Sequence, residues 1–348
     1  MYQKNGLEIW NLTPEIPVFA GAQQIFNIVG NLREPQKIKK FCYSLNEEAE
    51  KLIFFNHLNR QLNRLQRPGD FNIDTIRLEQ LKPNNQIVFR VLYKDLTEKT
   101  HEINFQRTAY TAQIPKFQLD LKQIHYPEQV GQVIDGKWQL VRNKQAEPYL
   151  EINQKNAGYD RIILFGHHQW THSYEIKARL SITKLTDTMY NLGLLFKWNE
   201  HLQGDGTWLP TQWSTGLGYY CSYSPGLRLR FGVDVHCDDR GNKIGDYILQ
   251  EKPFSPYRYY LGKLFRRLLR KQAHLNPFAT QILTNRQYCF RLLVKPQKYA
   301  LTVWEAGKKE PHPQLIVPYP NDKLPQGSVG IIAHNCGVRV YEYQVTPI

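Results

Sequence analysis

Residues 159–199 read YDRIILFGHHQWTHSYEIKARLSITKLTDTMYNLGLLFKWN and predict three successive β-strands, at Arg161–Phe165, Ser173–Ile182 and Asn191–Trp198. The middle strand alternates between two faces. Its apolar positions are Tyr174, Ile176, Ala178, Leu180 and Ile182, and its charged positions are Glu175, Lys177 and Arg179. A period of two with one apolar face is typical of a half-buried antiparallel strand. Similar runs continue almost to the C-terminus, so the second half of the chain is predicted to be a β-sandwich.

The composition is that of a folded, basic protein. The chain has 348 residues, of which 41% are hydrophobic and 13% aromatic, and this excludes a disordered protein. Its length favours two domains over a single core. The formal net charge of +14 favours an anionic partner, such as an acidic glycan, a lipid headgroup or nucleic acid. A solvated surface with a basic bias would give the same charge balance.

The N-terminal segment and the cysteines indicate in which cellular compartment the protein is expected. The segment MYQKNGLEIWNLTPEIPVF lacks a basic region followed by an apolar one, so no signal peptide is predicted. No window approaches the roughly 20 apolar residues of a membrane-spanning helix. The five cysteines, at positions 42, 221, 237, 289 and 336, are expected to be reduced core thiols, with a bridge between Cys221 and Cys237 as the alternative. We therefore expect a protein that is not transmembrane and is cytoplasmic, or exported without an N-terminal signal peptide.

Short β-runs spaced about 8–12 residues apart predict a small sandwich in the first part of the chain. The predicted strands are Gln24–Gly30, Ile38–Leu45, Phe71–Arg77, Gln86–Lys94 and Thr100–Gln106. Residues 47–65, EEAEKLIFFNHLNRQLNRL, interrupt the pattern and are compatible with a short helix or with a long hairpin. The chain is therefore divided into a first domain at 1–110, a linker at 111–123 and a second domain at 124–348.

The first domain contains a set of turn and strand motifs. They are Gly30-Asn31, Pro35, Tyr43-Ser44-Leu45-Asn46, Gly69-Asp70-Phe71-Asn72-Ile73 and Asn85. This set resembles an immunoglobulin-like domain found ahead of bacterial β-sandwich domains. Asn84 stands where that family usually has a turn glycine, and asparagine tolerates a positive φ angle. The resemblance implies an immunoglobulin-like sandwich.

The second domain contains motifs of its own. They are Asp135-Gly136-Lys137-Trp138, Gly158-Tyr159-Asp160-Arg161, Trp170, Tyr174-Glu175, Gly193-Leu194-Leu195 and Trp198, closed by Gly327–Ile332 and Tyr341–Val345. They resemble a bacterial subgroup of concanavalin A-like (laminin G-like) jelly-roll domains. Together the two resemblances cover most of the chain and imply an all-β protein, with an immunoglobulin-like sandwich ahead of a jelly roll. A fold of this kind does not define an activity.

Aromatic residues provide the first candidate site. Sugars present apolar C–H faces ringed by hydroxyls, so aromatic side chains beside charged and amide groups suit them. The candidates are Trp208, Gln212, Trp213, Tyr220, Arg228 and Trp304. Trp208 and Trp213 lie in a polar stretch, which favours an exposed binding loop. Trp304, like Trp198, lies within a strand pattern, which favours a place in the core or on the inner face of the sandwich.

Calcium is the cofactor that the sequence suggests. Asp234, Asp238 and Asp239 form the densest acidic cluster. The resemblance to laminin G-like domains implies calcium bound through rim carboxylates, which suit a hard cation. The alternative is a hairpin tip that uses aspartate as a turn former.

Familiar catalytic motifs are absent from the sequence. There is no E-x-D-x-E run of a sandwich glucanase, no G-x-S-x-G elbow, no P-loop and no H-E-x-x-H. Carboxylates such as Glu175, Glu305 and Glu342 are isolated along the chain. A glycoside hydrolase or lyase would therefore need a pair assembled from separate strands.

One segment of the second domain breaks the strand pattern. Tyr257–Lys271, YRYYLGKLFRRLLRK, predicts an inserted basic amphipathic helix because its apolar residues recur at helical spacing. Its basic residues are Arg258, Lys263, Arg266, Arg267, Arg270 and Lys271. Such a helix suits an anionic membrane surface or an acidic protein partner, or it packs across the sandwich with its basic face in water. No nucleic-acid motif surrounds it, so nucleic acid is not favoured.

The sequence therefore favours a non-catalytic, lectin-like protein that binds a carbohydrate or glycoconjugate. Two alternatives stay open. One is a scaffold or assembly protein that docks to an anionic membrane or partner through residues 257–271. The other is a glycoside hydrolase or lyase.

Overall fold

A computed structural model describes most of the chain. It covers residues 2–13, 17–18, 23, 25–58, 64–107, 116–153, 155–166, 170, 173–185, 191–198, 219–224, 228–233, 247–253, 284–313, 315–318 and 327–348. Residues 219–224, 228–233 and 247–253 are described by their strand pairing. Over these ranges the regular structure is β-strand, apart from single 3-10 turns at Pro35–Lys37, Leu78–Gln80 and Pro127–Gln129. The predicted all-β class is confirmed.

The N-terminal unit, which we define as described residues 2–107, contains two sheets. Its strands are β1 Tyr2–Lys4, β2 Leu7–Ile9, β3 Pro17–Val18, β4 Ile25–Leu32, β5 Ile38–Leu45, β6 Lys51–Leu52, β7 Asp70–Arg77, β8 Asn84–Tyr93 and β9 Glu98–Arg107. One sheet has the order β1-β2-β4-β7 and the other β3-β9-β8-β5-β6. Strand β3 runs parallel to β9, and the remaining pairs are antiparallel.

A single hydrophobic cluster lies between these two sheets. Phe41 is at its centre, with ring centroids 5.1 Å from Phe71 and 5.9 Å from Phe89. These rings come from β5, β7 and β8, so both sheets contribute to the cluster. Burial of each large apolar side chain stabilises the fold by roughly 1.5–3 kcal/mol. The alternation of apolar residues along the strands is therefore what closes this sandwich.

The rest of the described chain, which we call the sandwich unit, forms two larger sheets. Its strands are β10 Phe117–Gln118, β11 Gly131–Val133, β12 Gln139–Asn143, β13 Ala146–Ile152, β14 Arg161–Phe165, β15 Tyr174–Leu185, β16 Asn191–Trp198, β17 Tyr219–Ser224, β18 Arg228–Val233, β19 Tyr247–Pro253, β20 Gln287–Lys295, β21 Lys298–Glu305, β22 Leu315–Pro318, β23 Ser328–His334 and β24 Cys336–Pro347. The eight-stranded sheet has the order β12-β13-β24-β15-β20-β21-β22, with β10 also on β24, and the seven-stranded sheet has the order β11-β14-β23-β16-β17-β18-β19. All of these pairs are antiparallel.

The two larger sheets pack face to face around the main core. Phe165 of the seven-stranded sheet lies 4.5 Å from Tyr343 of the eight-stranded sheet, and Phe196 lies 5.1 Å from Tyr299, measured between ring centroids. The apolar positions of β15 that the alternation placed on one face are buried here. Strands β23 and β24 insert into the middle of the two sheets, so the end of the chain closes the sandwich. This two-sheet antiparallel arrangement is the jelly-roll architecture.

The N-terminal unit covers part of the outer face of the seven-stranded sheet. Leu195 and Trp198 lie on that face, opposite the main core, and both are fully buried. The indole Nε1 of Trp198 donates to Gln23 Oε1 at 3.4 Å, and the amide of Asn72 donates to the carbonyl of Ile134 at 2.9 Å. The units therefore share a polar junction as well as an apolar one.

Some of the features predicted from the sequence are revised by the structure, and others fall on residues that it does not describe. Between residues 47 and 58 the described chain forms no helix, but contributes the short strand β6 and a bridge from Phe55 to Phe71. The predicted helix at Tyr257–Lys271 lies outside the described residues. The domain boundaries at 110 and 124 and the immunoglobulin-like assignment stay predictions. Within the described part of the chain, no helix is long and apolar enough to cross a membrane.

Candidate functional site

Most of the predicted site residues fall outside the described part of the chain. These are Trp208, Gln212 and Trp213, the acidic cluster Asp234, Asp238 and Asp239, and the basic residues Arg258, Lys263, Arg266, Arg267, Arg270 and Lys271. Tyr220 is in β17 as the register partner of Leu195, and Arg228 is in β18 as the partner of Ser224. These assignments therefore stay predictions.

Trp304 is the predicted site residue whose side chain is described. Its strand, β21, places Tyr299, Leu301 and Val303 in the main core. Because side chains alternate along a strand, Trp304 lies on the opposite, outer face of the eight-stranded sheet, where it is partly exposed. The core interpretation therefore does not apply to Trp304, whereas Trp198 is fully buried, but in the cluster on the outer face of the seven-stranded sheet and not in the main core.

Aromatic rings and arginines alternate on this outer face. The rings of Tyr149 and Tyr341 lie 5.6 Å apart, the guanidinium of Arg339 lies 4.6 Å from the Tyr149 centroid, and that of Arg179 lies 5.2 Å from the Tyr341 centroid. Both guanidiniums are close enough to these rings for cation–π attraction.

Trp304 is connected to this group through the register of the sheet. Cys289 is the partner of both Arg179 and Trp304, so one strand separates these two side chains, about 10 Å at the usual strand spacing. We call this set, Tyr149, Arg179, Cys289, Trp304, Arg339 and Tyr341, the outer-face band. All six residues are partly exposed.

Carboxylates fix the arginines of the band. Arg179 donates to Glu342 at 2.7 Å, to Gln287 at 2.6 Å and to both carboxylate oxygens of Glu147. Burial disfavours the charge on Arg179, but the hydrogen bonds to Glu147 and Glu342 outweigh it and raise the pKa of the guanidinium. Arg339 is held in the same way by Glu151 at 2.9 Å. The band therefore presents oriented cations and carboxylates beside aromatic faces.

A second concave surface lies at one end of the N-terminal unit. It is a cleft of about 530 Å³ lined by Asn46, Glu47, Lys82, Asn84, Asn85, Gln86, Asn104, Phe105 and Gln106. The side-chain amides of Asn46 and Asn85 stabilise the local turn. Asn46 Nδ2 donates to Asn85 Oδ1 at 3.0 Å, and Lys82 N donates to the same oxygen at 2.8 Å. The other four amide residues of the cleft face each other across β8 and β9 as register pairs, Asn84 with Gln106 and Gln86 with Asn104. Carboxamides both donate and accept, so the cleft suits a neutral polar ligand. We call it the amide cleft.

The junction between the units contains a buried charge network. Arg64 of the N-terminal unit donates through Nη1 to Asp74 Oδ2 at 2.9 Å and through Nε to Asp135 Oδ1 at 2.8 Å. Asn72 also donates to Asp135 Oδ1, at 2.7 Å. Burial opposes the charge on Arg64, but Asp135 and Asp74 reverse that effect and raise the pKa of the guanidinium. The two motifs that contain Asn72 and Asp135 thus meet in space.

Metal chemistry receives no support from the described residues. Among them, no group of three His, Cys, Asp or Glu side chains is arranged to hold a metal ion. The ring Nδ1 of His334 lies 2.8 Å from Asp160 Oδ1, and burial raises the pKa of the nearby Cys336 thiol to about 12. The proposed calcium ligands lie outside the described part.

Comparison with known proteins adds structural neighbours of low similarity. No protein-family model matches the chain, and no curated protein matches it. The Ca²⁺/Man2-bound exoplasmic/lumenal domain of VIP36 is 6% identical, with a TM-score of 0.38 over 67% of this chain and 88% of that one. A Bacillus subtilis protein of unknown function with a galectin-like fold is 8% identical, with a TM-score of 0.36 over 62% of this chain and 88% of that one. The GH43 protein BlXynB from Bacillus licheniformis is 9% identical, with a TM-score of 0.38 over 99% of this chain and 65% of that one. With scores this low, the fold description rests on the strand order itself.

Proposed function

We propose that this protein binds a carbohydrate or glycoconjugate without catalysing a reaction on it. The observation that carries the proposal is the outer-face band, in which Tyr149 and Tyr341 lie beside arginines that carboxylates hold in place, and Trp304 lies on the same face one strand away from Arg179. Aromatic faces stack on the apolar faces of sugar rings, and the polar groups beside them bind hydroxyls.

The ion pairs of the band favour this function on energetic grounds. Ordering a long side chain on binding costs roughly 0.5–1.5 kcal/mol, and a side chain that is already held in place avoids that cost. Arg179 is held by Glu147, Glu342 and Gln287, which are residues of the protein itself. The carboxylates of Glu147 and Glu342 are substantially exposed and can accept from sugar hydroxyls. The band is therefore preorganised for a polyhydroxylated ligand.

Three further parts of the proposal rest on the sequence. Trp208, Gln212, Trp213, Tyr220 and Arg228 form a second sugar-binding surface. Asp234, Asp238 and Asp239 supply calcium ligands. The division at residues 1–110, 111–123 and 124–348 separates an immunoglobulin-like domain from the jelly roll. The orders β2-β4-β7 and β9-β8-β5 support the last part, because they match strands A, B and E and strands G, F and C of that fold.

A glycan array tests the function directly. The full chain would be applied in calcium and then in chelator, and discrete hits are expected. Loss of the hits in chelator would support the calcium ligands. A blank array in both buffers would contradict the proposal.

Variants then assign the site. Trp304→Ala should lower the affinity for the best hit about tenfold, because burying a large aromatic side chain against an apolar surface is worth roughly 1.5–3 kcal/mol. Tyr93→Ala is the matched control, since Tyr93 is a partly exposed ring with Lys99 Nζ 5.0 Å from its centroid but lies on the N-terminal unit. Asn104→Ala tests the amide cleft. Loss of binding in Asn104→Ala with full binding in Trp304→Ala would remove the band from the proposal.

A further inference from the structure

A small polar cavity lies at the junction between the two units. Its volume is about 130 Å³, and it is lined by Trp10 and Arg67 of the N-terminal unit and by Lys137, Lys155, Asn156 and Arg161 of the sandwich unit, among others. The lining contains four cationic side chains and no carboxylate. At about 30 Å³ per water molecule, it has room for about four waters, or for the four oxygens of a tetrahedral oxyanion. We call it the junction cavity.

Arg161 is the buried cation of this cavity. Only 4% of its surface is exposed. It donates through Nε to the carbonyl of Asn156 at 3.1 Å and through Nη1 to the carbonyl of Arg64 at 3.1 Å. Both acceptors are neutral, and within the described ranges no carboxylate forms an ion pair with Arg161. Burial lowers the pKa of this guanidinium, and the charges of Asp70, Asp135 and Asp160, which lie beyond ion-pair distance, only partly oppose that effect. A buried charge is costly unless it is paired, so the position calls for an anion.

Trp10 adds a second donor without a partner. It is 7% exposed, and its indole Nε1 has no hydrogen-bond partner in the described structure. Buried polar groups are nearly always bonded, so each exception needs an explanation. The guanidinium of Arg67 lies 5.1 Å from the Trp10 ring centroid and donates to Asn156 Oδ1 at 3.3 Å. An acceptor-rich ligand would satisfy the indole N–H.

The charge balance favours an anion over water. Two of the four cations have a carboxylate partner next to the cavity, Lys137 with Glu8 and Arg67 with Asp70 at 3.5 Å. Arg161 and the exposed Lys155 do not form such a pair within the described residues. The cavity therefore has an excess of positive charge and of hydrogen-bond donors.

We propose that the junction cavity binds a tetrahedral oxyanion of the phosphate or sulfate type, held by Arg161, Lys155 and the indole N–H of Trp10. The oxyanion is either the free inorganic ion or the terminal group of a larger molecule. This site is separate from the outer-face band, and it does not depend on glycan binding there.

Calorimetric titration of the full chain with inorganic phosphate, and separately with sulfate, tests the proposal. The ionic strength is held constant with chloride, so that binding driven by charge alone does not change between titration points and can be told apart from specific binding. A saturable one-to-one isotherm is expected. Glucose 6-phosphate is the second probe: equal affinity would identify a terminal group as an acceptable source, and binding of inorganic ions alone would identify the free anion. The absence of saturable binding for all three probes would overturn the proposal.

Three variants locate the site. Lys155→Ala and Trp10→Phe should each weaken binding by about tenfold, because each removes one donor to a charged acceptor. Trp10→Phe keeps an aromatic ring beneath Arg67. Lys144→Ala is the matched control, since Lys144 is an exposed lysine in the turn between β12 and β13, at the opposite end of that hairpin from Lys155, and does not line the cavity. Equal loss in Lys155→Ala and Lys144→Ala, or unchanged affinity in both Lys155→Ala and Trp10→Phe, would contradict the assignment.

Discussion

Arg64 and Asp135 form a buried ion pair that joins the N-terminal unit to the sandwich unit, with 2.8 Å between Arg64 Nε and Asp135 Oδ1. Arg64 is 2% exposed and Asp135 is 1% exposed. Asp74 pairs with the same guanidinium from the side of the N-terminal unit. Since neither charge can be hydrated in place, each depends on the other, and the orientation of the two units depends on both.

We predict that Asp135→Asn destabilises the protein by about 3 kcal/mol. The substitution keeps the shape of the side chain but leaves Arg64 with one buried carboxylate instead of two, and breaking a buried pair typically costs about 3–5 kcal/mol. Urea unfolding would measure the loss. Glu34→Gln, which removes an exposed partner of Lys37, is the control and should leave the unfolding midpoint unchanged. Equal midpoints for the two variants would show that the Arg64 network does not stabilise the junction.

A second prediction concerns the buried carboxyl of Glu128. This residue is in the 3-10 turn Pro127–Gln129 and is 5% exposed. Burial raises the pKa of its carboxyl to about 7, and the hydrogen bond from its own backbone N–H only partly opposes that effect. In the unfolded chain the same carboxyl has its ordinary pKa of about 4.5. Between these two values the unfolded state binds fewer protons, so stability falls as the pH rises from about 4.5 to 7.

Glu128→Gln removes this pH-dependent penalty. At pH 8 the variant should be more stable than the parent by up to about 3 kcal/mol, at 1.36 kcal/mol per unit of pKa shift. At pH 4.5 the two proteins should be nearly equally stable, because the carboxyl is then largely protonated when folded. Denaturant unfolding at both values provides the measurement. A gain in stability that is the same at both values would show that the effect is not electrostatic.

The core of the sandwich could be predicted from the sequence because a strand reveals its faces by alternation. The strands Ile38–Leu45, Arg161–Phe165 and Asn191–Trp198 have the predicted bounds. Strand β15 has the predicted buried face, but extends to Leu185 rather than to Ile182. Local pattern is sufficient here, since one apolar face is enough to orient a strand.

The face of Trp304 could not be predicted in this way. Its strand reads KYALTVWE, with apolar residues at neighbouring positions, so alternation does not distinguish the inner from the outer side. The contacts at the junction between the two units could not be predicted from the sequence for a different reason. Arg64 and Asp135 are 71 positions apart, and their pairing depends on how two separately folded sheets meet. The motifs around Asn72, Asp135 and Arg161 marked these positions, but only as features of the fold.

A third prediction concerns Gly136, which packs against the stem of Arg161. Its φ angle is +86°, and a Cβ atom there would lie 2.5 Å from Arg161 Cδ. Gly136→Ala should therefore destabilise the fold and displace Arg161, weakening oxyanion binding in the junction cavity. Gly307→Ala is a close control, because Gly307 has a φ angle of +83° with nothing within 4 Å of its added Cβ. The backbone strain is common to both variants, so the difference reports on the contact with Arg161.

We expect Gly136→Ala to be less stable than Gly307→Ala by about 1–3 kcal/mol, because an extra atom forced into a closely packed contact usually destabilises a fold by that amount. Thermal and urea unfolding would give the difference, and phosphate titration would give the effect on binding. The same stability and the same phosphate affinity in both variants would show that Arg161 is not held by this contact.

The last prediction uses Cys289 as a reporter of the outer-face band. This thiol is partly exposed and is the register partner of both Arg179 and Trp304. Burial raises its pKa, so alkylation should be slow at neutral pH and faster as the pH rises toward 9. A glycan that lies across the band covers this position. Bound glycan should therefore slow the alkylation of Cys289 several-fold, as measured by mass spectrometry of the corresponding peptide.

Cys42 serves as the internal reference in the same sample. It is 3% exposed and lies in β5 of the N-terminal unit, away from the band, so its slow alkylation should not respond to the glycan. Trp304→Ala should abolish the protection of Cys289, because the variant no longer retains the ligand. Full protection of Cys289 in Trp304→Ala, or equal protection of Cys42 and Cys289 in the parent, would mean that the glycan acts on the whole fold and does not bind at the band.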